Sequence, residues 1–217
     1  HDLRSPLTRI RNRLTTTLKA DEAGKEEALR ATLEESESMI GTFNALLSIA
    51  RIESGESGGA MEPVDVVAIA QEMTELYEPA VQEAGFALAL KAEATPPIRG
   101  SRALISQALA NLLDNAMKYA AGGANIEISV KKSQKGHVRL AVADDGPGVP
   151  IADREHIFQR FVRLETSRTT QGSGLGLSLV AAIARAHGAA LKVDGGGLGG
   201  AQPGLSIALI FPPRARA

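Results

Sequence analysis

Glycine is spread unevenly along the 217 residues, and that unevenness constrains the fold more than any other feature. Residues 1–54 contain only Gly24 and Gly41, whereas residues 122–217 contain fifteen of the chain's 22 glycines. A glycine inside a helix costs about 0.5–1 kcal/mol, because the backbone gives up more freedom there. A glycine-poor stretch followed by a glycine-rich one therefore reads as helices first, then a domain of tight turns and close backbone approaches. Composition narrows the function classes. The absence of cysteine excludes a disulfide framework or a thiolate metal site. Five Phe, two Tyr and no Trp leave little for nucleic-acid bases to stack on, so no nucleic-acid partner is expected. Lys plus Arg (24) nearly balances Asp plus Glu (25), so no whole-chain field points toward DNA or an anionic membrane. The longest apolar run, around Leu177–Ala184, falls well short of the roughly 20 residues of a membrane span. A soluble, cytosol-type polypeptide is expected and, because it starts at His1, a fragment.

In the first part, Leu3, Leu7, Ile10, Leu14 and Leu18 recur at helical spacing. Asp21, Glu22, Ala23 and Gly24 interrupt them. A second stripe, Leu29, Leu33, Ser36, Ile40, Phe43, Leu47 and Ala50, is spaced by fours and threes, as in a heptad seam, and the Glu53–Ala60 segment reads as a linker. Two helices cannot close a core of much size, so residues 1–55 are expected to pair with a second copy into a four-helix bundle. Helix one is mostly basic (Arg4, Arg9, Arg11, Arg13, Lys19) and helix two mostly acidic. Such charges fit solvated faces as well as cross-helix pairs, which are worth little at a surface.

His1 sits about 200° around the helix from Leu3 and so points away from the seam. Asp2 is its neighbour, Ser5 lies one turn on, and Pro6 should kink the helix by removing the N–H that would bond the Asp2 carbonyl. A neutral imidazole has a free lone pair for nucleophilic attack, and Asp2 is placed to orient the ring or take its proton. Taken alone, an idle surface histidine explains this pattern better.

Residues 61–217 read as an α+β two-layer sandwich. Expected helices are Asp65–Glu78, Ser101–Tyr119 and Leu175–Ala186, and expected strands are Ala87–Lys91, Ile126–Val130, Val138–Ala143, Leu191–Val193 and Leu205–Ile210. Along the second of these helices Asn111, Asn115 and Lys118 share one face. Carboxamides there suit Mg2+ and a terminal lysine suits phosphate, although an ordinary polar face looks the same. Asp144-Asp145-Gly146-Pro147-Gly148 follows a strand: a carboxylate there can accept from an exocyclic amine, or the segment is a plain Asp-Gly turn. Gly172-Ser173-Gly174-Leu175-Gly176 runs into an apolar helix, a pattern for an anion site at a helix N-terminus. Between them lie Phe158, Arg160, Phe161, Arg163 and Arg168, where two Phe fit either a tether for a lid or a small core.

Together these segments resemble the transmitter region of a bacterial sensor histidine kinase: a dimerisation and histidine-phosphotransfer hairpin (1–55) followed by a catalytic ATP-binding domain of the GHKL type (61–217). HDLRSPL (His1–Leu7) is similar to the H box, NLLDNAMKYA (Asn111–Ala120) to the N box and DDGPGVP (Asp144–Pro150) to the first glycine box. IFQRF (Ile157–Phe161) resembles the F box and GSGLGL (Gly172–Leu177) the second glycine box. The resemblance implies that His1 accepts the phosphoryl group, that Asp2 helps deprotonate or orient it, and that Ser5 stands where family members commonly carry Thr or Asn and support dephosphorylation of the partner. It implies that Asn115, with Asn111 nearby, binds Mg2+, that Lys118 meets the phosphates and that Tyr119 packs near the adenine. Asp144 would accept from the adenine amine, with Gly146 and Gly148 shaping the base pocket. Gly172, Ser173, Gly174, Leu175 and Gly176 would line the phosphates, and Arg163 or Arg168 would reach the γ-phosphate. ATP and Mg2+ are the implied ligands, and the implied partners are a second copy and a response-regulator receiver domain. The full-length protein is implied to be an inner-membrane sensor.

Two other readings belong beside this one. GHKL ATPases of the gyrase and mismatch-repair kind carry a glutamate four residues before the metal-binding asparagine, where this chain has Asn111, which cannot take a proton from water. A catalytically silent dimeric scaffold is the other. Two departures from the family are Ser101, where Asp is usual and a helix cap is at stake, and the Gly195–Gly200 run, expected as a loose turn.

Overall fold

The computed structural model describes residues 22–56, 61–163, 173–196, 198 and 202–213. The first expected helix and the site residues His1, Asp2, Ser5, Arg168 and Gly172 lie outside the described residues. The chain divides into two compact units, His1–Leu47 and Ser48–Ala217.

Helix α1 spans Glu22–Glu53, so the break expected at Asp21–Gly24 is already helix from Glu22 onward. Within the first unit, Leu29, Leu33, Ile40, Phe43 and Leu47 are all exposed. The seam read from the sequence is therefore an uncovered apolar stripe. Ser36, the polar member of that stripe, donates its Oγ–H to the Thr32 carbonyl at 2.8 Å, which satisfies the hydroxyl within the helix.

The last residues of α1 belong to the second unit. There Ile49 and Ile52 are buried, and the Glu53 carboxylate accepts from Arg160 at 2.6 Å and Arg185 at 3.0 Å. The unit continues with β1 (Glu62–Val64), α2 (Val66–Glu83), β2 (Ala87–Ala92), β3 (Ile98–Gly100), α3 (Arg102–Tyr119), β4 (Asn125–Lys132) and β5 (Val138–Asp144). Two short 3-10 turns, Ile151–Asp153 and His156–Phe158, precede α4 (Gly176–Ala186), β6 (Ala190–Asp194) and β7 (Leu205–Phe211).

Strand order in the main sheet is β2-β4-β5-β7-β6, parallel between β2 and β4 and antiparallel elsewhere, with β1 and β3 forming a separate pair. Alternation decides which face is covered. Ile126, Ile128, Val130, Leu140, Val142, Ile207, Leu209 and Phe211 point to one side and are buried. Against them lie Leu104, Ile105, Ala108, Leu109, Leu112, Leu113 and Ala116 of α3, the mostly apolar α4, and Val66, Ile69 and Ala70 of α2. This is the two-layer sandwich the sequence suggested. Asp65 caps α2, accepting from the N–H groups of Val67 and Ala68 at 2.9 and 3.2 Å. The helix then runs through Pro79 to Glu83, beyond the expected end at Glu78, because the fully buried Val81 holds its last turn on the core.

Candidate functional site

Helix α3 and strands β5 and β7 enclose a small recess lined by Leu112, Asn115, Ala116, Val142, Asp144, Leu205 and Ile207. Five of its walls are apolar and two residues, a carboxamide and a carboxylate, are polar. A flat heterocycle with one exocyclic amine suits such a lining. Asn115 and Asp144, 29 positions apart in sequence, are thus brought into one cavity.

Two adjacent carboxylates do different work. Asp144 accepts from the Gly146 N–H at 3.0 Å and also from the backbone of Leu205. Burial still raises its carboxyl above the usual range, and the neighbouring Asp145 charge adds to that. The Asp145 carboxylate receives the N–H groups of Ala124 and Asn125 at 2.7 and 2.9 Å and the Asn125 amide at 2.7 Å. Burial pushes Asp145 up, but the bonds from Asn125 and Ala124 outweigh it and hold the carboxyl below its ordinary value. Asp145 ties the end of β5 to the start of β4 and leaves Asp144 to face the recess.

Gly146 is glycine for a reason the sequence did not show: a Cβ there would stand 2.4 Å from Ala120 Cα, at the C-cap of α3. The constraint is backbone packing beside the recess. The same holds for Gly174, whose φ is +69° and whose Cβ would press on the backbone of Phe161 and Val162. Phe161 itself has φ +63° and donates its N–H to the Gly174 carbonyl at 3.1 Å, which joins the F-box segment to the second glycine segment.

The other expected site residues fall around this core. Lys118 lies with its ammonium 5.2 Å from the Tyr119 ring centre. Burial depresses its pKa, and the nearby Arg163 charge depresses it further, so two cations meet at the C-terminal end of α3. Ser173 and Gly174 are half-buried, Leu175 is buried at the N-cap position and Gly176 opens α4, whose first turn has no side-chain cap. Gly148 has φ +71° and packs on the Gly204 carbonyl. Asn111 does not line the recess. Its Nδ2 donates to the Gln107 carbonyl at 2.8 Å, and its Oδ1 lies 3.2 Å from where a Cβ on Gly176 would stand.

The sequence reading missed several contributors. Val142, Leu205 and Ile207 line the recess but looked like ordinary strand residues. Gly196, expected in a loose turn, instead packs against Asp144: a Cβ on it would fall 1.9 Å from the Asp144 carbonyl oxygen. Ser101 retains a cap, its Oγ accepting a long 3.5 Å bond from the Leu104 N–H. His187, buried at the end of α4, showed no signal beyond a helix end at His187-Gly188.

Among the described residues, no group of three or more His, Cys, Asp or Glu is arranged to hold a metal ion, and no helix is long and apolar enough to cross a membrane. Asn115, one oxygen donor lining the recess, fits a Mg2+ ion shared with phosphates, because Mg2+ commonly keeps most of its ligands from water and phosphate.

An asparagine and a carboxylate thus share one recess between a helix layer and a mixed sheet, and the sequence comparisons give the class of protein. The family described as histidine kinase-, DNA gyrase B- and HSP90-like ATPase matches residues 100–215, more than half of the chain, and the chain belongs to that family. It is 31% identical over 226 residues to the signal transduction histidine-protein kinase/phosphatase MprB of Mycolicibacterium paratuberculosis, covering 99% of this chain and 42% of that protein. The MprB of Mycobacterium avium is 30% identical with the same coverage. The chain thus spans less than half the length of these relatives. Among solved structures, the histidine kinase AdeS of Acinetobacter baumannii superposes with a TM-score of 0.74 at 21% identity, over 99% of this chain and 98% of that one, a likeness of fold. A mycobacterial sensor histidine kinase MprB structure matches at TM-score 0.59 and 30% identity over 70% of this chain and 97% of that one. Full-length ShkA in complex with AMPPNP matches at 0.70 and 28%, over 88% of this chain and 39% of that one.

Proposed function

We propose that the chain is the transmitter part of a two-component sensor histidine kinase. It would bind Mg-ATP, phosphorylate itself on His1 and pass the phosphoryl group to an aspartate of a response-regulator receiver domain. The observation that carries this reading is the convergence of Asn115 and Asp144 on one apolar recess, within the segment that matches the ATPase family. The similarity to ShkA, solved in complex with AMPPNP, supports a nucleotide as the ligand.

In this reading Asp144 accepts from the adenine amine while Leu112, Ala116, Val142, Leu205 and Ile207 enclose the ring. Asn115 supplies an oxygen to Mg2+. Asn111 would join it through Oδ1, which its Nδ2 bond to Gln107 leaves available, although Asn111 does not line the recess. Lys118 and Arg163 face the phosphate charge, together with the uncapped first turn of α4 behind Gly174 and Leu175. Mg2+, when bound, offsets phosphate charge. The chain positions the reactants, which is most of what phosphoryl transfer requires of a protein. A ring nitrogen of His1 forms a bond to the γ-phosphorus as the bond to the bridging oxygen of ADP breaks, and the imidazole proton leaves through Asp2 or water. The phosphoramidate then gives up its phosphoryl group to a carboxylate. Ser5 has a hydroxyl where it would support the reverse traffic, dephosphorylation of the partner.

Asn111 favours transfer over hydrolysis, since a carboxamide cannot serve as the base for water. The test is chemical. Incubation with Mg-ATP should leave an acid-labile, base-stable phosphate on the chain, and a phosphate stable in acid would place it on a hydroxyl and refute the reading.

The exposed stripe Leu29, Leu33, Ile40, Phe43 and Leu47 supports a dimer through residues 1–55, in which a second hairpin would cover it. Light scattering should then give about twice the 22.7 kDa chain mass. Phe43→Glu should return it to a single chain mass, and a wild-type monomer would count against the bundle.

A further inference from the structure

His187 is buried at the C-cap of α4 and makes two hydrogen bonds that fix its proton. The Ser101 N–H lies 3.0 Å from Nε2 and the Ile183 carbonyl lies 2.7 Å from Nδ1. A backbone N–H only donates and a carbonyl only accepts, so Nε2 is bare and Nδ1 carries the hydrogen. The ring stands edge-on to Phe211 at 6.0 Å, and a Cβ on Gly100 would come within 2.8 Å of it. The imidazole is wedged between the start of α3, the end of α4 and the end of β7.

Those positions matter because α3 and α4 carry the two halves of the nucleotide site and run in opposite directions. Near the site they touch at Asn111 and Gly176, and at the far end at Ser101 and His187. From Ser101 to Asn111 is about 15 Å of helix and from Gly176 to His187 about 17 Å, so the two contacts mark the ends of one seam. The near contact is a packing contact with glycine, without a directional bond. The far contact is directional.

We infer that His187 is a positioning residue for the nucleotide site: its acceptor nitrogen, bonded to the Ser101 N–H, sets how far α4 sits along α3 and thereby where the N-terminus of α4 stands relative to Asn115. The inference rests on the reading of these two helices as the walls of a Mg-ATP site. Misplacement by about 1 Å costs up to about a hundredfold in a site that works by positioning. Doubly protonated, the ring would turn a second N–H toward the Ser101 N–H and the far contact would open. Burial already holds its pKa below the ordinary imidazole value. The charged groups of the surrounding elements are Arg185 on its own helix, Arg99 on β3 and Arg102 on α3; all three are exposed, Arg185 is turned to Glu53 and Arg102 to Glu72. Phe211 on β7 brings no charge.

Glutamine and asparagine separate the two ring nitrogens. His187→Gln presents an acceptor near Nε2, and His187→Asn presents a donor near Nδ1 and nothing to Ser101. A fluorescent ATP analogue with Mg2+ should be titrated into the wild type and both variants, beside melting temperatures without nucleotide. His187→Gln should bind within about threefold of wild type and His187→Asn about tenfold more weakly, even though both variants melt earlier. Equal affinities for the two variants, or losses that simply follow melting temperature, would overturn the inference. Absence of binding to the wild type would overturn the site reading and this inference with it. If His187→Asn does not fold, the pH profile decides. Wild-type affinity should fall as pH drops below the ordinary imidazole range, and His187→Gln should lack that limb, with Asp144 contributing equally to both. Superimposable profiles would contradict the assignment.

Discussion

Alanine at Asn115 should erase the rise in melting temperature that Mg-ATP gives the wild-type chain. Asn115 and Asp144 are the two polar residues lining the recess, and the proposed reading gives Asn115 to the metal and Asp144 to the base. In the proposed reading Asn115 would hold Mg2+, so without its oxygen the Mg-ATP complex would lose its attachment to α3. A ligand at a hundred times its dissociation constant stabilises a fold by about 2.7 kcal/mol, which is roughly 5–11 °C for a domain of this size. In Asn115→Ala that shift should vanish while the melting temperature without nucleotide stays close to wild type, because Asn115 is half-buried and lies outside the apolar core. Calorimetry with and without Mg-ATP reads both quantities. An unchanged shift would remove Asn115 from the metal assignment.

The second large effect should separate Asp145 from Asp144. Asp145→Ala would remove the acceptor of three donors, the N–H groups of Ala124 and Asn125 and the Asn125 amide. Ala124 and Asn125 are exposed, so water takes over part of these bonds, and the loss should be about 1–3 kcal/mol, roughly 2–12 °C in melting temperature. The pH sign follows from its depressed pKa. The stabilisation by Asp145 is present above the ordinary aspartate value and is lost as pH falls through the lower folded value. Asp144→Asn should behave oppositely. Its carboxyl is raised by burial, so a neutral amide relieves a cost, and melting temperature should hold or rise slightly. Nucleotide affinity should instead drop roughly 10- to 100-fold, because the amide presents donors to an amine. If Asp144→Asn binds normally, the recess does not recognise the base through this residue.

Much of the sandwich was legible because its elements are periodic and locally capped. Asp65 and Ser101 announce helices at the positions where α2 and α3 begin, and the alternation of Ile126, Ile128 and Val130 marks a strand covered on one face. The β1–β3 pair was invisible, since strands as short as Glu62–Val64 and Ile98–Gly100 carry no periodicity. At the site, the residue types were legible and their reasons were not. Asp144 and Asn115 stood out as chemistry. Gly146, Gly174 and Gly196 stood out as glycines, but their requirement comes from backbone neighbours at Ala120, Phe161 and Asp144, which are distant in sequence. Leu205 and His187 act through strand register and helix packing, and neither has a local signature. A turn reads as loose until the carbonyl it packs on is known, which is why the Gly195–Gly200 run was misjudged at Gly196.

In the proposed reaction the γ-phosphate goes to the chain and not to water. A single turnover with radioactive γ-labelled ATP and Mg2+, following label on protein and label released as free phosphate in the wild type and in His1→Ala, tests it most directly. Acid-labile label should appear on the wild-type protein and none on His1→Ala, with little free phosphate from either over the same interval. Equal labelling of His1→Ala, or rapid release of free phosphate with no labelled protein, would contradict it.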